Sequence, residues 1–424
     1  MIENGATSSR TVGRWLRFCF VVCTVATAPA FAAMHSFNPS IRGNVSYINN
    51  VVFVDDPAEE QSDTNTRVAL HLPYKMQTKT ALLSLRYDTT FDSFQEFQEL
   101  DFVGHKVTAR LATNTSPRST LRVYGTFSLS QDEDFVTGLQ TDPDEPDPVD
   151  PFLLQRTRRW AGTVRVIHRH ALGRRWNLST GANGSYSFVD PIDEVPNAPS
   201  TANLEDKQSA GVNFRLRHTL SQKTSIGGTY AYGIVHQERS GDENVHEVRL
   251  TLSQGVSKRV NLGFEAGGYR RTRESPDSAG NFDTTGFSWS LHINMGYREG
   301  LKIGPYRMSF RLGARPSTGG TLEGTSTNNS ASVSLTDPRT RTWSWSLFSR
   351  FTNRVPFDRD LAVYNTFSTG FNLRKSLRSA LSLRGRAEYV NQWSSDTDDS
   401  TGSFFRVSGG LSWFPFAGTR MAGR

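Results

Sequence analysis

Most of this chain alternates apolar and polar residues in runs broken by polar turns. Residues 286–297 show the pattern most plainly. Phe287, Trp289, Leu291, Ile293, Met295 and Tyr297 fall on one side, and Ser288, Ser290, His292, Asn294 and Gly296 on the other. A period of two is that of a β-strand with unlike faces. Such runs are long enough to cross a bilayer obliquely as strands. The pattern predicts strands near 41–54, 66–75, 80–91, 101–111, 119–130, 157–169, 175–188, 207–218 and 224–236. It predicts a second set near 245–254, 259–270, 284–297, 305–315, 329–336, 341–352, 361–373, 380–393 and 403–415. Ser330 to Leu335 is short and serine-rich, and if it is loop the count falls from eighteen to sixteen. The predicted fold class is all-β: a transmembrane antiparallel up-and-down β-barrel of about 18 strands, with 16 as the alternative.

The connections support hairpins. Short turns are read at 75–79, 112–119, 171–174, 221–223, 255–258, 298–305 and 374–379. Longer polar loops are read at 55–66, 92–101, 131–156, 190–206, 237–243, 271–283, 316–328 and 394–402. Short turns at one end and long loops at the other are the habit of bacterial membrane barrels. Tyr74, Tyr87, Trp160, Trp176, Tyr186, Phe188, Tyr297, Trp343, Tyr389, Trp393 and Trp413 lie near predicted strand ends. Rings of that kind suit the membrane–water interface, although aromatic residues also favour strands in general.

The first 32 residues read differently. Arg10, Arg14 and Arg17 precede the apolar run 18–26, and small-residue cleavage patterns end at Ala30 and Ala32. This is the build of an export signal peptide. The expected organisation is signal peptide 1–32, barrel 33–416 and a short tail 417–424. Both cysteines, Cys19 and Cys23, fall inside the leader, so no disulfide or thiolate metal site is expected in the mature chain. Cys23 lacks a typical lipidation context. The leader carries Glu3 beside its three arginines, so its removal lowers the formal charge from +7 to +5. No second apolar run is long enough for a membrane helix.

Sorting charge by strand face sharpens the picture. The polar face holds Arg67, Arg86, Lys106, Arg110, Arg122, Arg159, Arg165, Arg169, Arg215, Arg217, Arg249, Arg307, Arg311, Arg315, Arg350, Arg384, Arg386 and Arg406. Against them stand Asp88, Glu247, Glu265 and Glu388. A charge facing lipid at mid-bilayer costs roughly 2–4 kcal/mol, which is why the apolar face carries almost none. Two readings follow. The arginines either line an anion-attracting pore, or they fill a solvated wall and pair with acids and carbonyls.

The last strand adds a resemblance. Phe405, Val407, Leu411 and Trp413 alternate towards an aromatic end, although Pro415 breaks the register and Phe416 is not terminal. In this the chain resembles the porin-like superfamily of bacterial outer-membrane β-barrels. The resemblance implies residence in the outer membrane, contact with membrane lipids and lipopolysaccharide, and insertion by the outer-membrane assembly machinery. General porins fold their third external loop into the bore. The loop 131–156 is similar in position, and Asp142, Asp144, Glu145, Asp147 and Asp150 make it acidic, but the family's own loop motif is absent. It is read as a possible constriction loop, or else as an acidic surface loop that is disordered or binds divalent cations with lipopolysaccharide.

Other classes find little support. The nine histidines are scattered, and His105, His168, His218 and His236 fall on or near the apolar parity. No metal-binding, nucleophile-elbow or phosphate-loop motif appears, so no enzyme, cofactor or metal is expected. The basic residues are spread over many strands without a compact basic–aromatic patch, which argues against nucleic acid. The sequence predicts a channel with an arginine-rich lumen that passes polar, preferentially anionic small solutes by diffusion. Export of an anionic exopolysaccharide, or a structural or adhesion barrel with a closed lumen, stand as alternatives. The oligomeric state is left open.

Overall fold

In a computed structural model, the described residues are 33–49, 61–131, 157–191, 206–237, 241–257, 260–274, 282–296, 307–317, 326–337, 342–356, 363–378, 380–394 and 402–415. The expected leader and the tail lie outside them. The strands begin with β1 (Met34–Phe37), β2 (Ser40–Ile48), β3 (Asp63–Gln77), β4 (Ala81–Phe94), β5 (Phe102–Ser116) and β6 (Ser119–Gln131). They continue with β7 (Thr157–Ala171), β8 (Trp176–Pro191), β9 (Lys207–Thr219), β10 (Thr224–Gln237), β11 (Gly241–Gly255) and β12 (Val260–Glu274). The last are β13 (Phe282–Gly296), β14 (Arg307–Ser317), β15 (Ser326–Asp337), β16 (Trp343–Pro356), β17 (Tyr364–Arg378), β18 (Leu381–Ser394) and β19 (Gly402–Trp413).

β1 and β2 pair with β3 in one continuous register, Met34 opposite Gln77 and Ser40 opposite His71. They are two halves of one stave, parted at Asn38-Pro39, where proline has no N–H to give the ladder. Each stave then pairs antiparallel with its successor, and β19 pairs with β2, Val407 opposite Tyr47. The result is a closed, eighteen-stave antiparallel barrel. Closure leaves no unpaired edge, which is what a sheet needs in hydrocarbon.

Contacts between staves that are not neighbours fix which face is concave. Arg215 of β9 donates to Glu265 of β12 at 3.2 Å, past two intervening strands. Ser288 of β13 donates to Glu247 of β11 at 2.8 Å. Side chains converge in this way only inside a closed sheet. Register then assigns Ser288, Ser290, His292 and Asn294 to the concave face, and Phe287, Trp289, Leu291, Ile293 and Met295 to the convex one. Convex apolar side chains are bare: Leu250 is 70% and Phe287 63% exposed. Aromatic residues band the convex strand ends. At the short-turn end Trp176 packs on His218 with centroids 4.2 Å apart, and the Lys375 ammonium lies 4.5 Å above the Trp343 ring. At the loop end Trp160 meets Phe127 and Trp393 meets Phe351.

Several boundaries differ from the sequence reading. Residues 326–337 form a full strand, so the stave count is eighteen and not sixteen. The first stave begins at Met34 rather than near 41, and the apolar run 51–54 lies outside the described residues. The turn placed at 112–119 shrinks to Pro117-Arg118, because β5 runs to Ser116 past a register shift. The predicted long loop 237–243 shortens, because β10 reaches Gln237 and β11 starts at Gly241. Gln237 pairs with Gly241, whose φ of 83° is one that glycine adopts freely. The short turns are stapled by hydroxyls: Thr78 Oγ1 accepts the Ala81 N–H at 2.9 Å, and Ser221 Oγ accepts that of Thr224 at 3.0 Å.

Two outcomes check this architecture by denaturant unfolding in lipid vesicles. Leu250→Arg, at a convex mid-strand position, should destabilise the barrel by about 2–4 kcal/mol, whereas Thr251→Arg on the concave side should be near neutral. Equal effects at both positions would reverse the assignment of faces. Gly241→Ala should cost about 1 kcal/mol, because alanine resists the left-handed backbone there.

Candidate functional site

Period two, applied to a closed sheet, sends one side chain in two to the concave wall. Register places there Arg86 (β4), Lys106 and Arg110 (β5), Arg122 (β6), Arg159, Arg165 and Arg169 (β7), and Arg215 and Arg217 (β9). Arg249 (β11), Arg311 (β14), Arg384 and Arg386 (β18) and Arg406 (β19) share the same face. Arg67, Arg315 and Arg350 do so as well. Arg307 is the first residue of β14. The acidic segment with Asp142, Asp144, Glu145, Asp147 and Asp150 lies outside the described residues. His105, His168, His218 and His236 are on the convex face.

The wall also holds basic residues that sequence reading missed: Arg42, Lys207, Arg271, Arg273, Arg354 and Arg374. The sequence pattern puts Arg271 and Arg273 in a loop, Arg374 in a turn and Arg354 beyond the end of the strand near 341–352. The structure carries β12 to Glu274, β16 to Pro356 and β17 to Arg378. The R-x-R spacing of Arg271 and Arg273, in phase with Tyr269, was the usable signal.

Two groups of charge stand out. The first centres on Glu265 of β12. Its Oε1 accepts from Arg215 at 3.2 Å, and its Oε2 accepts from Arg249 at 3.3 Å and Arg315 at 2.7 Å. Arg249 also lies 3.3 Å from Glu247, and Arg315 donates to Ser290 Oγ at 2.7 Å. Two carboxylates thus face three guanidiniums contributed by β9, β11 and β14. Glycine lets these groups meet: a Cβ at Gly313, opposite Ser290, would sit 2.8 Å from the Trp289 carbonyl oxygen. The side chains of Arg215 and Arg315 are 47% and 37% exposed, so the group is open to water and each pair is worth little by itself.

The second group lies across the closing seam. Asp88 Oδ1 bonds His71 Nδ1 at 2.6 Å and its Oδ2 accepts from Arg86 at 2.6 Å. Asp92 pairs with Arg67, and buried Glu388 accepts from Arg386 at 2.8 Å. Arg374 and Arg384 sit directly opposite each other on β17 and β18.

The wall is uneven along its axis. Towards the loop end concave side chains are buried: Val235, Gln237 and Gln392 are almost fully covered, and Glu243 pairs with Arg271, both inaccessible. Leu100, in a short helical turn after β4, is buried there too. Its loop is tied down by Asp63, whose carboxylate accepts the Glu96 and Phe97 N–H groups at 3.1 Å. Towards the turn end Arg86 and Arg374 are exposed. Among the described residues, no three metal-ligating side chains converge.

No family model matches the chain, and no curated protein does. Solved structures similar to it include Pseudomonas aeruginosa OccK2 (OpdF) in complex with glucuronate. That likeness has a TM-score of 0.45 and 13% identity, covering 90% of this chain and 98% of that one. Acinetobacter baumannii OccAB2 gives a TM-score of 0.46 at 11% identity, over 90% and 98% of the two chains. A BenF-like porin from Pseudomonas fluorescens Pf-5 gives the same values, 0.46 and 11%, with the same coverage of 90% and 98%.

Proposed function

We propose that the protein is a bacterial outer-membrane channel that passes polar solutes by diffusion and favours anions. The observation that carries this reading is the charge imbalance of the concave wall. Among the described residues, basic side chains there outnumber acidic ones by more than three to one. The group around Glu265 shows the imbalance locally, because three arginines share two carboxylates. A bore lined in this way attracts anions and repels cations. Arginine also suits carboxylates and phosphates better than lysine, since its planar fork binds two oxygens at once. A barrel of this strand count is wide enough to hold water. In this reading the acidic segment 142–150, which Arg159, Arg165 and Arg169 follow in the sequence, narrows the bore.

A second reading, a barrel closed at the loop end, is favoured by the burial of Gln237, Glu243 and Arg271. Planar-bilayer recording separates the two. The channel reading expects steady conductance with chloride more permeant than potassium in a salt gradient. Absence of conductance from the folded protein favours the closed barrel, and a ratio below one removes the anion preference. Glu265→Gln should raise the anion-to-cation ratio, and Arg215→Glu combined with Arg315→Glu should lower it. Deleting residues 142–150 should increase single-channel conductance; an unchanged value removes that segment from the constriction.

A further inference from the structure

Most basic side chains of the wall whose contacts are described have a carboxylate or hydroxyl to hold. Among the described residues Arg42, Arg374 and Arg384 bond none, as is also true of Lys106, Arg169 and Arg311, but only the first three cluster at one place. Arg384 lies in the electrostatic field of Arg42 and Arg374, and Arg42 in that of Asp88, Arg374 and Arg86. Two lateral rows bring them together on the concave side of the seam. One row runs Asn44, Gly410, Arg384, Arg374 across β2, β19, β18 and β17. The row beside it runs Arg42, Ser412, Ser382, Ser376 across the same strands. The nearest acid, Asp88, is already held by His71 and Arg86.

Arg374 and Arg384 are direct cross-strand partners, a position where like charges oppose pairing. Their ladder cannot part to relieve this, because β17 and β18 are bonded along their length. Three polar atoms here are also buried without a partner among the described residues: Arg42 Nε, Arg384 Nε and Ser382 Oγ. Ser382 itself is only 2% exposed. A buried donor left unmade is costly, and a group of them at one spot marks a missing acceptor. Arg374 is exposed towards the turn-side mouth, so the spot can be reached from the bore.

We infer that Arg42, Arg374 and Arg384, with Ser382, form a discrete binding site for a polyvalent oxyanion, such as a dicarboxylate or phosphate-bearing solute. Arg374 and Arg384 have no acid partner among the described residues and Arg42 only a share of Asp88, so the three together match two or more negative charges, and each presents a fork suited to paired oxygens. The hydroxyl of Ser382 supplies a further donor to the same ligand. As a stage on a transport route the site rests on the channel reading; as a place where an oxyanion binds it does not.

The test uses the full mature chain, folded in detergent micelles and titrated calorimetrically with succinate, inorganic phosphate and acetate at constant chloride. Succinate or phosphate should bind saturably at one site, with acetate weaker by about tenfold or more. Arg384→Gln and Arg42→Gln should each weaken succinate or phosphate binding by about tenfold. Ser382→Val, which removes a hydroxyl and no charge, should weaken it by about threefold. Lys375→Gln should leave binding unchanged, because Lys375 lies on the convex face over Trp343. Circular dichroism confirms that each variant is folded, and Ser382→Val keeps the test valid where an arginine variant fails to fold. Saturable binding without bilayer conductance upholds the site and overturns the channel. No saturable binding, equal loss in Lys375→Gln, or acetate binding as tightly as succinate overturns the site.

Discussion

The constraint beneath this structure is that hydrocarbon offers nothing to bond a peptide N–H or C=O. An unpaired group costs several kcal/mol there, so a sheet that enters a bilayer must close on itself. The seam between β19 and β2 does this, with Gly410 opposite Asn44 and Trp413 opposite Ile41. The approach is close enough that a Cβ at Gly410 would run into the Asn44 side chain, 2.9 Å away. Once the ring is shut, every strand residue faces one of two solvents. Among the described residues, charges of convex parity sit only near strand ends, at Arg158, Asp242, Arg270, Glu274, Asp283, Asp337 and Lys375. Arg270 and Asp283 pair there at 2.6 Å, where headgroups and water begin.

The same rule concentrates the remaining strand charges on the concave wall. Closure brings side chains of distant staves within reach, so acids there are shared. Glu265 serves arginines from three other strands, and Asp88 serves His71 and Arg86. Sharing organises part of the wall but cannot neutralise it, because the acids are too few. The surplus is therefore a property of the whole bore, while its local form depends on which arginines find an acid nearby.

How much of this was readable in the chain follows from the same physics. Where one face is greasy, period two is strong, and all the staves crossing the bilayer were found from it. Where a stave rises past the hydrocarbon its convex residues turn polar, as with Arg270 and Thr272 on β12 or Asn353 on β16. The alternation fades there although the ladder continues, so Arg271, Arg273 and Arg354 fall outside the strands the pattern predicts. Pro39 hid the start of the first stave, and the serine-rich run in β15 looked too polar for a strand. The start of β11 reads as loop because Asp242 and Glu243 are charged, yet both lie in β11 and pair with β10. The meeting of Glu265 with Arg215, fifty positions apart, was not legible at all. It depends on curvature and on the register of three intervening pairings.

The opposition of Arg374 and Arg384 shows how the lipid constraint reaches into the bore. Like charges on facing residues oppose pairing, the more so where one is half-buried. A flexible loop would relax by moving one of them away. Here only the side chains can turn aside, because each backbone stands on a strand whose hydrogen bonds are held in the ladder. An oxyanion from solution can neutralise the pair without disturbing the ladder. Whatever binds the folded wall and not the unfolded chain stabilises the fold by mass action. Occupancy of the seam and stability of the barrel are thus coupled through one pair of strands, whose backbone is fixed by lipid and whose side chains are satisfied by solute.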